Sequence, residues 1–78
     1  MIKIARVERK NGVVSEVGVE FGGRIEILFR RTENGIREVS RCLIGDERLY
    51  DRGKLWIPDG WYKKMVRQVW AIFGKKRK

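Results

Sequence analysis

From Asn11 to Gly35 the chain reads NGVVSEVGVEFGGRIEILFRRTENG. Three glycine-bearing dipeptides punctuate it, Asn11-Gly12, Gly22-Gly23 and Asn34-Gly35, with β-branched or aromatic runs between them. Asn-Gly and Gly-Gly supply the positive φ angles that two-residue hairpin turns require, because glycine lacks a Cβ and asparagine tolerates the left-handed region. The stretch therefore predicts consecutive antiparallel hairpins. Working outward, strands are expected at about 2–10, 13–21, 24–33 and 36–44. An irregular charged stretch, 45–53, should follow, then a short extended piece, 54–57, placed to continue the last strand.

Past residue 58 the apolar period changes. Trp61, Tyr62, Met65, Val66, Val69, Trp70, Ile72 and Phe73 recur at helical spacing and form one broad apolar face. Pro58 suits the first helical position and Gly74 the residue just past the end, so a helix is expected over 58–73. The fold class is α+β, a four-stranded antiparallel meander followed by one C-terminal helix. Residues 1–74 are expected to form one domain, and the tail Lys75-Lys76-Arg77-Lys78, which has no apolar anchor, is expected to be mobile.

Composition excludes several classes of protein. At 78 residues one domain is the ceiling, and a chain this short buries only about 60% of its unfolded surface, which disfavours a large active-site cavity. With 42% hydrophobic and 10% aromatic residues it lies away from the disordered class. The single cysteine, Cys42, builds neither an intrachain disulfide nor a zinc site alone, and a reducing intracellular compartment is expected, cytoplasmic and nucleoid-associated or nuclear. Cys42 itself reads as a small buried hydrophobe. No stretch approaches the roughly 18 apolar residues of a membrane span, so no membrane partner is expected. There is no histidine, no phosphate loop and no metal-ligand spacing, so neither an enzyme, a metal nor a cofactor is expected.

What remains is charge. Lys and Arg number 19 against 10 Asp and Glu, a net charge of +9 that points to a polyanionic partner, nucleic acid first. The excess is uneven. Residues 60–78 carry seven basic groups and no acid, which leaves 12 basic and 10 acidic groups for residues 1–59.

Pairing arithmetic assigns the faces. A two-residue loop at Asn34-Gly35 sets Arg30 opposite Val39 and Leu28 opposite Arg41 on one face. It sets Ile25, Ile27 and Phe29 opposite Ile44, Cys42 and Ser40 on the other, with an Arg31 to Glu38 charge pair. The second is the core face, to be covered by the helix. The first then presents Arg24, Arg30, Arg37 and Arg41 interleaved with Leu28, Val39 and Leu43, the mixture of cation and flat apolar surface that a single-strand platform needs. A two-residue loop at Gly22-Gly23 puts Phe21 beside Arg24 on that face but turns Glu16 and Glu20 toward the core. That is a conflict with two solutions. Either the loop is a residue longer and the register flips, or the sheet curves so that its first half packs against something else, a second subunit being the economical candidate.

Two blocks carry a family resemblance: Val19-Glu20-Phe21-Gly22-Gly23-Arg24-Ile25-Glu26-Ile27-Leu28-Phe29-Arg30, and Arg52-Gly53-Lys54-Leu55-Trp56-Ile57-Pro58-Asp59-Gly60-Trp61. The chain resembles the positive cofactor four family of transcriptional coactivators and single-stranded DNA-binding proteins, whose core is four antiparallel strands and a C-terminal helix in a homodimer. By that resemblance Phe21, Arg24, Arg30 and Arg52 match positions that contact single-stranded DNA. The chain departs from the pattern where Ile57 replaces the family's Asn before the proline, where Glu33 stands near the position of a family aromatic, and in the longer segment 35–51.

The expected function is single-stranded DNA binding with little sequence preference, in transcription or genome maintenance, with RNA as a possible ligand and transcription machinery as a possible partner. The expected contacts are Arg6, Phe21, Arg24, Arg30, Arg37, Arg41, Arg52 and Lys54. The expected dimer interface is Trp61, Met65, Val66, Val69, Trp70 and Phe73. The competing readings are a small basic RNA-binding or chromatin module, and a transcription adaptor whose sheet binds protein.

Overall fold

A computed structural model of the chain describes residues 1–44 and 55–74. Four strands, β1 (Ile2–Lys10), β2 (Val13–Phe21), β3 (Ile25–Thr32) and β4 (Gly35–Leu43), form one antiparallel sheet in the order β1-β2-β3-β4, and α1 (Asp59–Phe73) follows. The α+β meander-plus-helix expectation holds. The expectations for residues 45–54, Arg52 and Lys54 included, and for the tail 75–78 lie outside the described residues. Residues 55–57 form no strand, so that part of the expected extension of the last strand is not made. Among the described residues no helix is long and apolar enough to cross a membrane.

The first turn is the one its sequence asks for. Asn11 and Gly12 take φ of 54° and 80°, and Lys10 lies opposite Val13. At the second turn Gly22 and Gly23 also take positive φ, 64° and 70°, and the Arg24 amide donates to the Phe21 carbonyl across them. Arg24 is nevertheless an extra residue, because Phe21 pairs with Ile25 and the Arg24 carbonyl accepts instead from the Ile44 amide at 2.8 Å. The loop is thus the longer of the two alternatives. The flip puts Val17 and Val19, both fully buried, opposite Phe29 and Ile27 on the core face and turns Glu16 and Glu20 outward. The conflict that called for a second subunit is resolved within one chain.

The third turn departs from its sequence signal. Thr32 pairs with Gly35, so the loop is Glu33-Asn34, and Gly35 opens β4 with φ of 147°. A Cβ there would stand 3.2 Å from the Trp70 ring, so this glycine serves the close approach of the helix rather than the turn. Further along, Leu28 pairs with Ser40 but Phe29 with Glu38, leaving Val39 as a bulge. In a regular strand residues three apart point to opposite faces. Here the bulge brings Glu38 and Arg41 to the same, core-facing side. The expected partners of Ile25, Ile27 and Phe29 become Leu43, Arg41 and Glu38, and Arg31 lies opposite Ile36 rather than Glu38.

The core is the inner sheet face with one stripe of α1. Met65, Val69 and Phe73, spaced by four, are buried against Val17, Val19, Ile27 and Phe29. Burying each such side chain contributes about 1.5–3 kcal/mol. Pro58 is the N-cap and makes no side-chain cap bond, while Gly74, at φ 88°, returns its amide to the Trp70 carbonyl. The last turn of α1 contains no basic residue, but Arg31 reaches it from β3. Its guanidinium donates to the Phe73 carbonyl at 2.7 Å and the Val14 carbonyl at 3.0 Å, and lies over the Phe73 ring.

The polar counterpart lies at the other end of the helix. Arg41, 4% exposed, donates twice to Glu38, Nε to Oε2 at 2.7 Å and Nη2 to Oε1 at 2.8 Å, and its Nη1 donates to the Leu55 carbonyl at 2.7 Å. The Tyr62 hydroxyl donates to Glu38 Oε1 at 2.8 Å, and the guanidinium lies over the Tyr62 ring. The network thereby ties β4, the segment before the helix and the first turn of α1 together.

Breaking this pair from one side should cost about 3–5 kcal/mol, since it strands a buried charge, whereas replacing both partners with apolar residues should cost far less. Urea unfolding of Arg41→Met, Glu38→Leu and the double variant checks this, with the double variant expected to be more stable than either single one. Gly35→Ala should cost about 1–3 kcal/mol through its positive φ and the Trp70 contact, read as a lowered thermal midpoint.

Candidate nucleic-acid interface

The register decides which charges share the outer face of the sheet. One row across it is Lys3, Glu20, Glu26 and Cys42; the next is Arg6, Gly18, Leu28 and Ser40; the third is Glu8, Glu16, Arg30 and Arg37. Four cations meet four carboxylates there, so this part of the face is close to neutral. Arg30 is exposed, but its Nε donates to Glu16 Oε2 at 2.7 Å. Arg37 is exposed opposite Arg30, and Arg6 is exposed beside Gly18, its Cβ in ordinary contact range of a Cβ built there.

The expectation of four interleaved arginines on one open face is therefore corrected. Arg41 is buried on the core side, bound to Glu38, because the Val39 bulge changes its face. It has no surface to offer a phosphate. Arg24 belongs to the turn, exposed, rather than to the face. Cys42 lies on the outer face opposite Glu26, half-buried rather than in the core. Of the expected dimer contacts, Met65, Val69 and Phe73 are consumed by the chain's own core, and Trp61, Val66 and Trp70 retain exposed or half-buried surface.

Phe21 also moves. It lies on the core side, half-buried, with its ring centroid 5.9 Å from that of Trp61 in an edge-on contact at 62°. Trp61 stays 37% exposed, and Lys64 Nζ stands 4.8 Å from its ring centroid. Arg24 is only three residues from Phe21, across the turn. The structure thus brings together Phe21, Trp61, Lys64 and the Gly22-Gly23-Arg24 turn at one end of the molecule, a combination absent from the sequence expectations. Half of it was legible: Trp61 and Lys64 are three apart on a helix and must be neighbours. The approach of Phe21 required the longer loop.

Trp56 is the most exposed tryptophan, at 70%. Packing explains why it points out. The Leu55 carbonyl is held by Arg41 and Ile57 is buried, only 4% exposed, so the residue between them faces solvent.

The charge of α1 contrasts with that of the sheet. After Asp59 its only charged residues are Lys63, Lys64 and Arg67, all exposed, and the chain continues from Gly74 into four further basic residues. Cations and exposed tryptophans therefore coincide on the helix side, while the three rows of the outer sheet face set four cations among four carboxylates. No family model, no curated protein and no solved structure matches this chain.

Proposed function

We propose that the protein binds single-stranded nucleic acid, and that the binding surface is centred on the β2–β3 turn and the start of α1 rather than on the open sheet face. The observation that carries the reading is the Trp61 indole, held edge-on by Phe21, partly exposed, with Lys64 at its ring and Arg24 exposed on the adjoining turn. Unpaired bases stack on such rings because every base has a π face, and neighbouring cations neutralise the phosphates. Duplex DNA keeps its bases stacked inside and offers an isolated indole nothing to receive. The net charge of +9 adds long-range attraction.

The resemblance to the positive cofactor four family supports the same ligand and the involvement of Phe21 and Arg24, although the sheet arginines play a smaller part in this reading. Arg30 is engaged by Glu16 and Arg41 by Glu38, so neither is free to track a phosphate without breaking a bond. Binding by stacking and charge carries little base-edge readout, so sequence preference is expected to be weak.

Competition among a labelled single strand, the matching duplex and RNA tests the reading. The single strand should bind about tenfold or more tighter than duplex, with tryptophan fluorescence quenched on binding. Equal affinity for duplex would overturn the single-strand assignment. Trp61→Ala should weaken binding by about 1–3 kcal/mol, the usual loss of one stacking contact, whereas Arg37→Ala should change it by less than about 0.5 kcal/mol, as for an uninvolved surface residue.

A further inference from the structure

The outward surface of α1 carries a pattern that packing does not require. Trp61, Lys64, Arg67 and Trp70 follow one another at intervals of three residues. An i, i+3 row of this kind runs continuously and obliquely across a helix. Both cations are exposed, and the tryptophans are 37% and 40% exposed, while Met65, Val69 and Phe73 supply the core on the opposite side. Each end of the row is braced. Trp61 meets the edge of Phe21, and the Trp70 ring lies over Gly35, whose missing side chain makes room for it. Between Trp70 and the first turn, Tyr62, Lys63, Val66 and Arg67 border a shallow groove of about 340 Å³.

We infer that this row is a second, helix-borne part of the binding surface, over which the single strand passes from Trp61 to Trp70. The inference rests on the single-strand reading above and adds the path the strand takes. The two indoles act as stacking posts at its ends, and Lys64 and Arg67 neutralise the phosphates between them. Along the axis nine residues advance roughly 14 Å, and at about 100° per residue they carry the row from one flank of the core stripe to the other. The strand therefore crosses the outward side of α1 over more than the roughly four nucleotides that the axial rise alone would take at ~3.4 Å each.

Charge selects this occupant over a second copy of the chain. A two-fold contact through the same surface would set Lys64 and Arg67 against the same cations of the other copy, and α1 has no Asp or Glu after Asp59 to offset them. A polyanion has no such conflict.

The test uses the full chain and a fluorescent oligothymidylate of about 12 nucleotides, titrated from about 50 to 200 mM salt. Trp70→Ala should weaken binding about tenfold with an unchanged salt slope, and Trp70→Phe should restore most of it. Arg67→Glu, on an exposed position that leaves the fold intact, should lower the salt slope by about 0.7. Sedimentation of each variant accompanies the titrations. If the wild type binds the strand and both Trp70→Ala and Arg67→Glu bind like it, the helix path is wrong while the Trp61 site stands. A wild type that binds no single strand removes both. If Trp70→Ala converts a dimer to a monomer and each monomer still binds with wild-type affinity, the surface is a self-interface and the inference is overturned.

Discussion

The arrangement of this small fold depends on one buried ion pair. Arg41 and Glu38 lie beneath the start of the helix, each about 95% removed from solvent, and they meet only because a bulged Val39 turns both to the inner side of β4. Two desolvated charges are tolerated because their hydrogen-bonding capacity is used: the guanidinium serves Glu38 and the Leu55 carbonyl, and the carboxylate also receives the Tyr62 hydroxyl. The pair is directional in a way that an apolar contact is not. It specifies where the chain re-enters the fold at Leu55, which way the helix starts, and hence which tryptophans face outward.

Register then distributes the remaining charge. A one-residue change at the β2–β3 turn sends Glu16 and Glu20 to the outer face, where they stand among Lys3, Arg6, Arg30 and Arg37. The outer face comes close to neutral, and the exposed β1 edge carries charges of both signs, which discourages edge-to-edge pairing. The helix has no such balance. Its three cations outnumber its one carboxylate, Asp59, and Lys64 lies against the Trp61 ring.

Much of the architecture was legible because it follows from local chemistry. Positive-φ dipeptides fix hairpins, period-two runs fix strands, and the 3.6-residue period from Trp61 to Phe73 fixes a helix, whose bounds agree with expectation to a residue. Register was not legible. Four departures from regular pairing, at Ala5, Ser15, Arg24 and Val39, each shift side chains between faces, and nothing in their immediate sequence marks them. Ser15 illustrates the difficulty: its hydroxyl donates to the Glu8 carbonyl at the irregularity, a bond that any strand serine has the means to make. Gly35 is a different failure. The Asn-Gly dipeptide is a sound turn signal, but here its glycine lies in β4 against the Trp70 ring, thirty-five residues away, a tertiary contact that local sequence does not announce. The site residues change faces for these reasons, Arg41 through the Val39 bulge and Phe21 through the extra turn residue Arg24.

Arg31 joins parts of the molecule that are otherwise far apart in the chain. One guanidinium holds the carbonyl of Val14, just after the first hairpin turn, and that of Phe73, at the end of the helix. Undocking the helix would break the Phe73 bond and the ring contact, while the Val14 bond, which lies within the sheet, holds the guanidinium in place to meet the helix end. Opening of the first hairpin would release that anchor, so the last turn of α1 should lose protection whenever the hairpin opens, its amides exchanging at least as fast as those of the hairpin.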